Sequence, residues 1–310
     1  MNSILSRFYT GLRDVTGVVG QFLQQNFDKR AASVAFIGAG WFSQAFSFTA
    51  DGQGFIFRVN AYEEDFQKDA LAYHHFSSPA LPIPRVVRIG QFDDSRYYMI
   101  TERCEGRNLN QMDTTDVRRI VPRLFETLDA LHRVDVSGYA GWGLADAAGN
   151  GRFESWAAYL LSLYDQKFTF EWTALAEHTF LERAVYVSVL EEMEHLLPYC
   201  SAAKYLIHRD FGFKNVMSDG ERITGVLDWA DYGLGDFIYD VAYLDYWSSD
   251  IPYGALWREY AASQGRGVPH FEERMRCYQL HMALHDMAVA ALQGDEQGYI
   301  WSREHILAHG

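Results

Sequence analysis

The sequence predicts an α+β chain of two lobes, a small antiparallel-sheet lobe followed by a larger, mostly helical one. Three observations predict it. Apolar stretches separated by turn residues are concentrated before residue 104, and helical periodicity takes over from about residue 113. Strand-like runs then return only briefly, at KYLIH, NVMSD and ITGVLDW.

Taken in order, residues 14–27 set Val15, Val18, Val19, Phe22 and Leu23 on one helical stripe. SQAFSFTADGQGFIFRVN reads as two strands joined at Asp51-Gly52, a favoured hairpin turn. An amphipathic helix is expected over 62–77. It ends at Pro79 and Leu81-Pro82-Ile83-Pro84, where two prolines force an extended path. VVRIGQF and RYYMITER form a second hairpin around Asp93-Asp94-Ser95. The junction is expected near Arg103–Arg107, dividing the chain into 1–104 and 105–310. Helices are expected from about 113, over 153–165, near 173–197, and again from Gly235 to the end.

The bulk composition narrows the function. The chain has 310 residues, 48% of them apolar and 22% charged, which suits a folded globular protein. Its formal charge of −14 repels polyphosphate backbones and attracts a cationic ligand, so nucleic acid is not an expected partner. Cys104, Cys200 and Cys277 lie far apart with no metal-finger spacing and are read as reduced thiols. No signal peptide and no apolar run long enough to span a bilayer is read. The expectation is a soluble, cytoplasmic monomer with no membrane partner.

The sharpest motif is His208-Arg209-Asp210-Phe211-Gly212-Phe213-Lys214-Asn215, which matches the H-R-D-L-x-x-x-N catalytic loop of kinases apart from Phe at the Leu position. Phosphoryl transfer needs a carboxylate to orient an acceptor hydroxyl and receive its proton, the role expected of Asp210. Asn215 offers an amide oxygen to Mg²⁺, a hard cation that prefers oxygen. Asp228 closes ITGVLDW thirteen residues later, and two strands returning from the loop would set it beside Asn215 as a second metal ligand. The sequence there is Asp228-Trp229-Ala230 rather than D-F-G. Asp236 is placed to cap a helix, and Asp240, one turn later, has two competing readings: a buttress for the catalytic loop or a substrate contact.

H-x-D-x-x-x-x-N followed by D-W and G-D-x-x-x-D resembles the aminoglycoside phosphotransferase family, which is built on a protein-kinase-like fold. The stretches SQAFSFTADGQGFIFRVN and LAYHHFSSPALPIPRVVRIGQF look closer still to its hygromycin B phosphotransferase branch. The resemblance runs from about Gly38 to Trp247. It implies an ATP-dependent transfer to an antibiotic hydroxyl that confers resistance, with Mg²⁺ as cofactor and GTP as the alternative nucleotide. It makes 1–104 the nucleotide-binding lobe and 105–310 the catalytic and substrate lobe.

Within that reading, Gly38, Gly40 and Ser43 stand where kinases carry their glycine-rich cover over the phosphates. Arg58 takes the place of the phosphate-gripping lysine, with Asp69 as its helix partner and Glu63 and Glu64 as alternatives. Glu102, Arg103 and Cys104 are expected to meet adenine through their backbones. Only seven residues separate Asp228 from Asp236 and no A-P-E follows, so a small substrate is expected rather than a peptide. For a cationic sugar the candidates are Asp231, Asp240, Asp245 and Asp250, with Tyr246 and Trp247 as flat surfaces. The His281/His285 pair is read as packing rather than a metal site. Two other functions fit: a kinase of a macrolide, amino alcohol or metabolite, and a nucleotide-binding regulator without catalysis.

Overall fold

The structure, a computed structural model, describes residues 15–27, 30–40, 43–163, 165, 167, 170–201 and 203–308. Along the chain run α1 (Thr16–Asn26), β1 (Ala32–Ala39), β2 (Ser43–Ala50), β3 (Gln53–Asn60), α2 (Glu63–Phe76), β4 (Val86–Gln91), β5 (Tyr97–Glu102) and β6 (Arg107–Asn108). Then come α3 (Thr114–His132), β7 (Trp142–Ala145), β8 (Gly151–Phe153), α4 (Trp156–Ser162), α5 (Trp172–His178), α6 (Arg183–Leu196), β9 (Tyr205–Ile207), β10 (Val216–Ser218) and β11 (Ile223–Val226). The chain closes with β12 (Gly233–Gly235), α7 (Ile238–Tyr246), α8 (Tyr253–Ser263), α9 (Phe271–Gln293) and α10 (Glu296–Ala308).

Two compact units form. One comprises the described residues up to Gln111 together with Phe213–Ala230; the other comprises Met112–Gly212 and Asp231–Gly310. The first unit runs past residue 104 because β6 pairs with β10, Met217 against Asn108 and Ser218 against Arg107, which draws the β10–β11 ribbon in with it.

The first unit is organised by a five-stranded antiparallel sheet in the order β1-β2-β3-β5-β4. Asp51 and Gly52 both take left-handed backbone, φ 53° and 79°, the geometry that matches the twist of a two-residue hairpin. The turn locks the register from Ser43↔Asn60 through Ala50↔Gln53. Side chains alternate faces along each strand, so Phe46 and Phe48 join Phe55, Phe57, Val59, Tyr98 and Ile100 in one core with Val19 and Leu23 of α1. Alternation sends Arg58 to the opposite face, and there it meets α2.

The second unit is mainly helical. Asp113 caps α3 by accepting from Asp116 N–H, and Val117, Ile120, Val121, Leu124, Leu128 and Leu131 form its buried stripe. A four-stranded sheet, β8-β7-β12-β9, lies in this unit, and α9 packs against α6, α7 and α10. Asp236 is fully buried beside it, accepting from Arg274 Nε at 2.8 Å, from Arg274 Nη2, and from Tyr278 Oη at 2.5 Å. No helix among the described residues is long and apolar enough to cross a membrane.

Some elements differ from expectation. Strand β1 was not anticipated, because most of its side chains face solvent and leave no apolar alternation to read. The run expected near 173–197 is two helices, α5 and α6, broken at 179–182. Strands β7, β8 and β12 are three or four residues each, too short to show a period. Residue 14, the expected start of the first helix, lies outside the described residues.

Candidate active site

In the first unit, Arg58 projects from β3 between two carboxylates. Its Nη1 lies 3.0 Å from Asp69 Oδ2 and its Nη2 lies 3.1 Å from Asp228 Oδ1. Asp69 also accepts Trp229 N–H at 2.9 Å, so one α2 residue fixes both the arginine and the backbone after Asp228. Burial raises the Asp69 carboxyl to about 6 despite the attraction of Arg58. Burial works against the Arg58 charge as well, but Asp228 and Asp69 more than reverse it and the guanidinium is held cationic. The structure therefore pairs Arg58 with Asp69 and not with Glu63 or Glu64.

Asn215 and Asp228 sit at the same end of the β10–β11 ribbon. Val216 pairs with Val226, and Leu227 N–H donates to Asn215 C=O at 2.8 Å. Asn215 is buried, Asp228 is about a third exposed, and Asp228 takes left-handed backbone at φ 63°. The strand that precedes Asp228 is closely packed: a Cβ on Gly225 would fall 2.4 Å from Cys104 Sγ, so a larger residue there would have to displace that thiol.

Gly40 N–H donates to Ser43 C=O at 2.8 Å and closes the turn into β2. Residues 41 and 42 lie outside the described residues. At the expected hinge, two of the three backbone N–H groups are already used. Glu102 N–H is already bonded to Arg85 C=O and Arg103 N–H to Gly54 C=O, because β5 is paired on both sides up to its last residue. The Glu102 side chain is likewise engaged, accepting from Gln53 and twice from Arg85. Of the three residues, that leaves the Cys104 backbone as the N–H candidate for adenine; its thiol, raised to about 11 by burial, packs on Gly225.

In the second unit the loop that begins at His208 is held from beneath by α7. Asp240 has no exposed surface. Its Oδ2 accepts from His208 N at 3.0 Å and lies 3.0 Å from His132 Nε2, and its Oδ1 accepts from Arg209 N at 2.8 Å. Those bonds hold Arg209 at φ 69°, a left-handed conformation that a non-glycine residue adopts only when its surroundings impose it. The Arg209 guanidinium donates to Asp231 C=O at 2.9 Å and to Tyr159 Oη, and lies over the Tyr159 and Tyr239 rings. Asp210 N–H donates to His208 Nδ1 at 3.3 Å, and the Asp210 carboxylate accepts from the Tyr243 hydroxyl.

Of the expected substrate contacts, Asp240 is corrected to a support of the loop, since its oxygens are spent on buried donors. Tyr246 is corrected as well: its ring is fully buried and its hydroxyl lies 2.7 Å from Ser302 Oγ. Asp231 is half-buried, with its backbone engaged by Arg209. Trp247 is 38% exposed and stacks on Trp301, itself 42% exposed, at 5.2 Å and 9°. His305 stacks on Trp301 at 4.9 Å. Asp250 is exposed and, with Asp245, Ser248 and His305, lines a cavity of about 370 Å³. Asp245 is otherwise structural, accepting from Gly254 N–H and Gln279 Nε2. His281 meets Tyr239 Oη and His285 meets Asp165, separate contacts that share no ligand.

The sequence pattern of the phosphotransferase enzyme family matches residues 33–276. The chain belongs to that family. This phosphotransferase is 30% identical over 290 residues to hygromycin-B 4-O-kinase of Escherichia coli, across 92% of this chain and 82% of that one. The crystal structure of aminoglycoside phosphotransferase APH(4)-Ia is similar at a TM-score of 0.84 and 28% identity, covering 94% of this chain and 97% of that one. A thermostable variant of APH(4)-Ia in ternary complex with AMP-PNP and hygromycin B gives 0.83 and 28% at the same coverage. The sheet unit and the helical unit of the phosphotransferase are those of the protein-kinase-like fold.

Three residues beside the candidate site, Tyr159, Trp301 and Tyr243, belong to none of the sequence motifs. Tyr159 is far in sequence from Arg209, whose guanidinium it meets, and Trp301 is far from Trp247, on which it stacks. Tyr243 had one local signal: it lies three residues after Asp240, on the same helix face.

Proposed function

We propose that this phosphotransferase transfers the γ-phosphoryl group of ATP to a hydroxyl of an aminoglycoside such as hygromycin B, and thereby confers resistance. The observation that carries the reading is Asp210, presented on a loop whose strained backbone Asp240 holds in place, five residues before Asn215. The acceptor oxygen attacks the γ-phosphorus while its proton passes to the Asp210 carboxylate. The bond from the γ-phosphorus to the bridging oxygen breaks, and ADP leaves with that electron pair. Arg58, kept cationic by Asp69 and Asp228, supplies the charge that grips the nucleotide phosphates. Asn215 and Asp228 offer only oxygen donors at one end of one ribbon, a set that suits Mg²⁺. Bound there, the ion neutralises charge on the β- and γ-phosphates.

The acceptor side is read from charge and aromatic surface. A net charge of −14 draws an ammonium-bearing sugar, and the exposed Trp247–Trp301 stack offers it a flat, electron-rich face. The test is an ADP-release assay with Mg-ATP against hygromycin B and other aminoglycosides. Acceptor-dependent turnover that Asp210→Ala abolishes, with nucleotide binding intact, is the expected result. Turnover retained by Asp210→Ala removes the assigned base. Silence on the whole panel with ATP still bound leaves another small hydroxyl compound as the acceptor.

A further inference from the structure

We propose that Tyr243 is the positioning residue of the catalytic base: its phenol fixes the orientation of the Asp210 carboxylate and keeps it in its charged, proton-accepting form. The proposal rests on the reading of Asp210 as the group that takes the acceptor's proton.

The argument begins with α7. Asp240 and Tyr243 are three residues apart and share one helix face. Asp240 holds the loop by its backbone, at His208 N and Arg209 N. Tyr243 holds the next residue by its side chain, donating its hydroxyl proton to Asp210 Oδ1. One turn of one helix therefore fixes both the path of the loop and the direction of its functional carboxylate. The tyrosine cannot easily swing away. Its ring is mostly buried, packs at a tilt on Trp247 with centroids 6.3 Å apart, and belongs to a helix whose other inward residues, Val241, Ala242 and Leu244, are fully buried.

The chemistry suits a phenol. Burial, with Asp210, Tyr239 and Asp231 nearby, raises the Tyr243 hydroxyl well above its ordinary range, so it remains a donor throughout the working pH range. A donor to a carboxylate favours its charged form. Phosphoryl transfer has a loose transition state in which alignment counts for more than base strength. A hydrogen bond that costs some basicity and fixes direction is therefore a net gain in rate. The titratable and charged groups around the pair include Asp231, Tyr239, His208, whose Nδ1 accepts from Asp210 N–H, and Arg209, which lies over the Tyr239 ring.

The experiment is steady-state kinetics and a pH profile of Tyr243→Phe beside wild type and Asp210→Asn, with Mg-ATP and the best acceptor of the panel. Losing a hydrogen bond to a charged group should lower kcat on the order of tenfold to a hundredfold. The nucleotide KM should stay within about twofold, and the acid limb of kcat/KM should move to higher pH. Site-specific replacement Tyr243→3-fluorotyrosine keeps the shape and makes a stronger donor, so the same limb should move to lower pH. It also decides the matter if the phenylalanine variant does not fold. Wild-type kcat and an unmoved acid limb in both variants overturn the proposal, as does a rise in acceptor KM alone, which would make Tyr243 a substrate contact. Should Asp210→Asn turn over like wild type, the base itself is misassigned. An inactive Asp210→Asn beside a normal Tyr243→Phe removes only the role of Tyr243.

Discussion

Replacing Asp240 by asparagine keeps the size of the side chain and removes one acceptor. The carboxylate spends Oδ2 on His208 N and His132 Nε2, and Oδ1 on Arg209 N. An amide has one acceptor oxygen. Turned toward His208 and His132, it sets its NH₂ against Arg209 N–H, donor against donor, inside a site with no exposed surface. Losing one charge-assisted bond and leaving a buried N–H unpaired costs about 2–3 kcal/mol. For a unit of this size that is a fall in melting temperature of about 4–12 °C. The rate should suffer more than the stability. Arg209 N is the group whose bond enforces φ 69°, and when it is released the loop can relax and carry Asp210 off line. A displacement of about 1 Å at the reacting group costs on the order of a hundredfold. Circular-dichroism melts give the first quantity, and ADP release measured well below the melt gives the second. A lowered melting temperature with intact kcat would refute the reasoning, because the loop would then keep its shape without Asp240.

Three further outcomes are expected. Arg58→Lys keeps the charge but can reach only one of the two carboxylates, so the nucleotide KM should rise about tenfold while the acceptor KM changes little; equal effects on both would remove Arg58 from the nucleotide site. Trp301→Ala takes away half of the exposed indole stack and should raise the KM of a cationic acceptor about tenfold, leaving nucleotide affinity alone, as titration of each ligand would show. Asp286, raised to about 6 mainly by burial, binds its proton more tightly folded than unfolded. Its contribution to stability is therefore lost as pH rises from about 4 through about 6, and Asp286→Asn should flatten that part of a stability-versus-pH curve; an unchanged slope would place Asp286 in water.

What could be read from the sequence was whatever is local in it. The hairpin at Asp51-Gly52 is written in two residues that tolerate left-handed backbone, and the loop from His208 to Asn215 is eight consecutive residues. The Arg58 strand and the α2 helix follow from periods of two and of about 3.6. Burial of a polar residue is not local. Asp240 and Tyr246 look like surface chemistry in a sequence, and only the donors that surround Asp240 and the Ser302 hydroxyl beside Tyr246 reveal them as interior. Which hinge N–H groups are already used was illegible for a related reason, since the partners of Glu102 N–H and Arg103 N–H come from Arg85 and Gly54, 17 and 49 residues away in the chain. Strand β1 had no legible period because water, not a core, takes most of its side chains.

The indole pair has an optical consequence. Of eight tryptophans, Trp247 ends α7 and Trp301 lies on α10, and the two rings are nearly parallel with centroids 5.2 Å apart. Transition dipoles that close exchange excitation, so the far-ultraviolet dichroism of the folded chain should carry a split tryptophan band on top of its helical signal. That band exists only while the last helix is docked. It gives the end of the chain a spectroscopic signature of its own, separable in a melt from the loss of helix elsewhere.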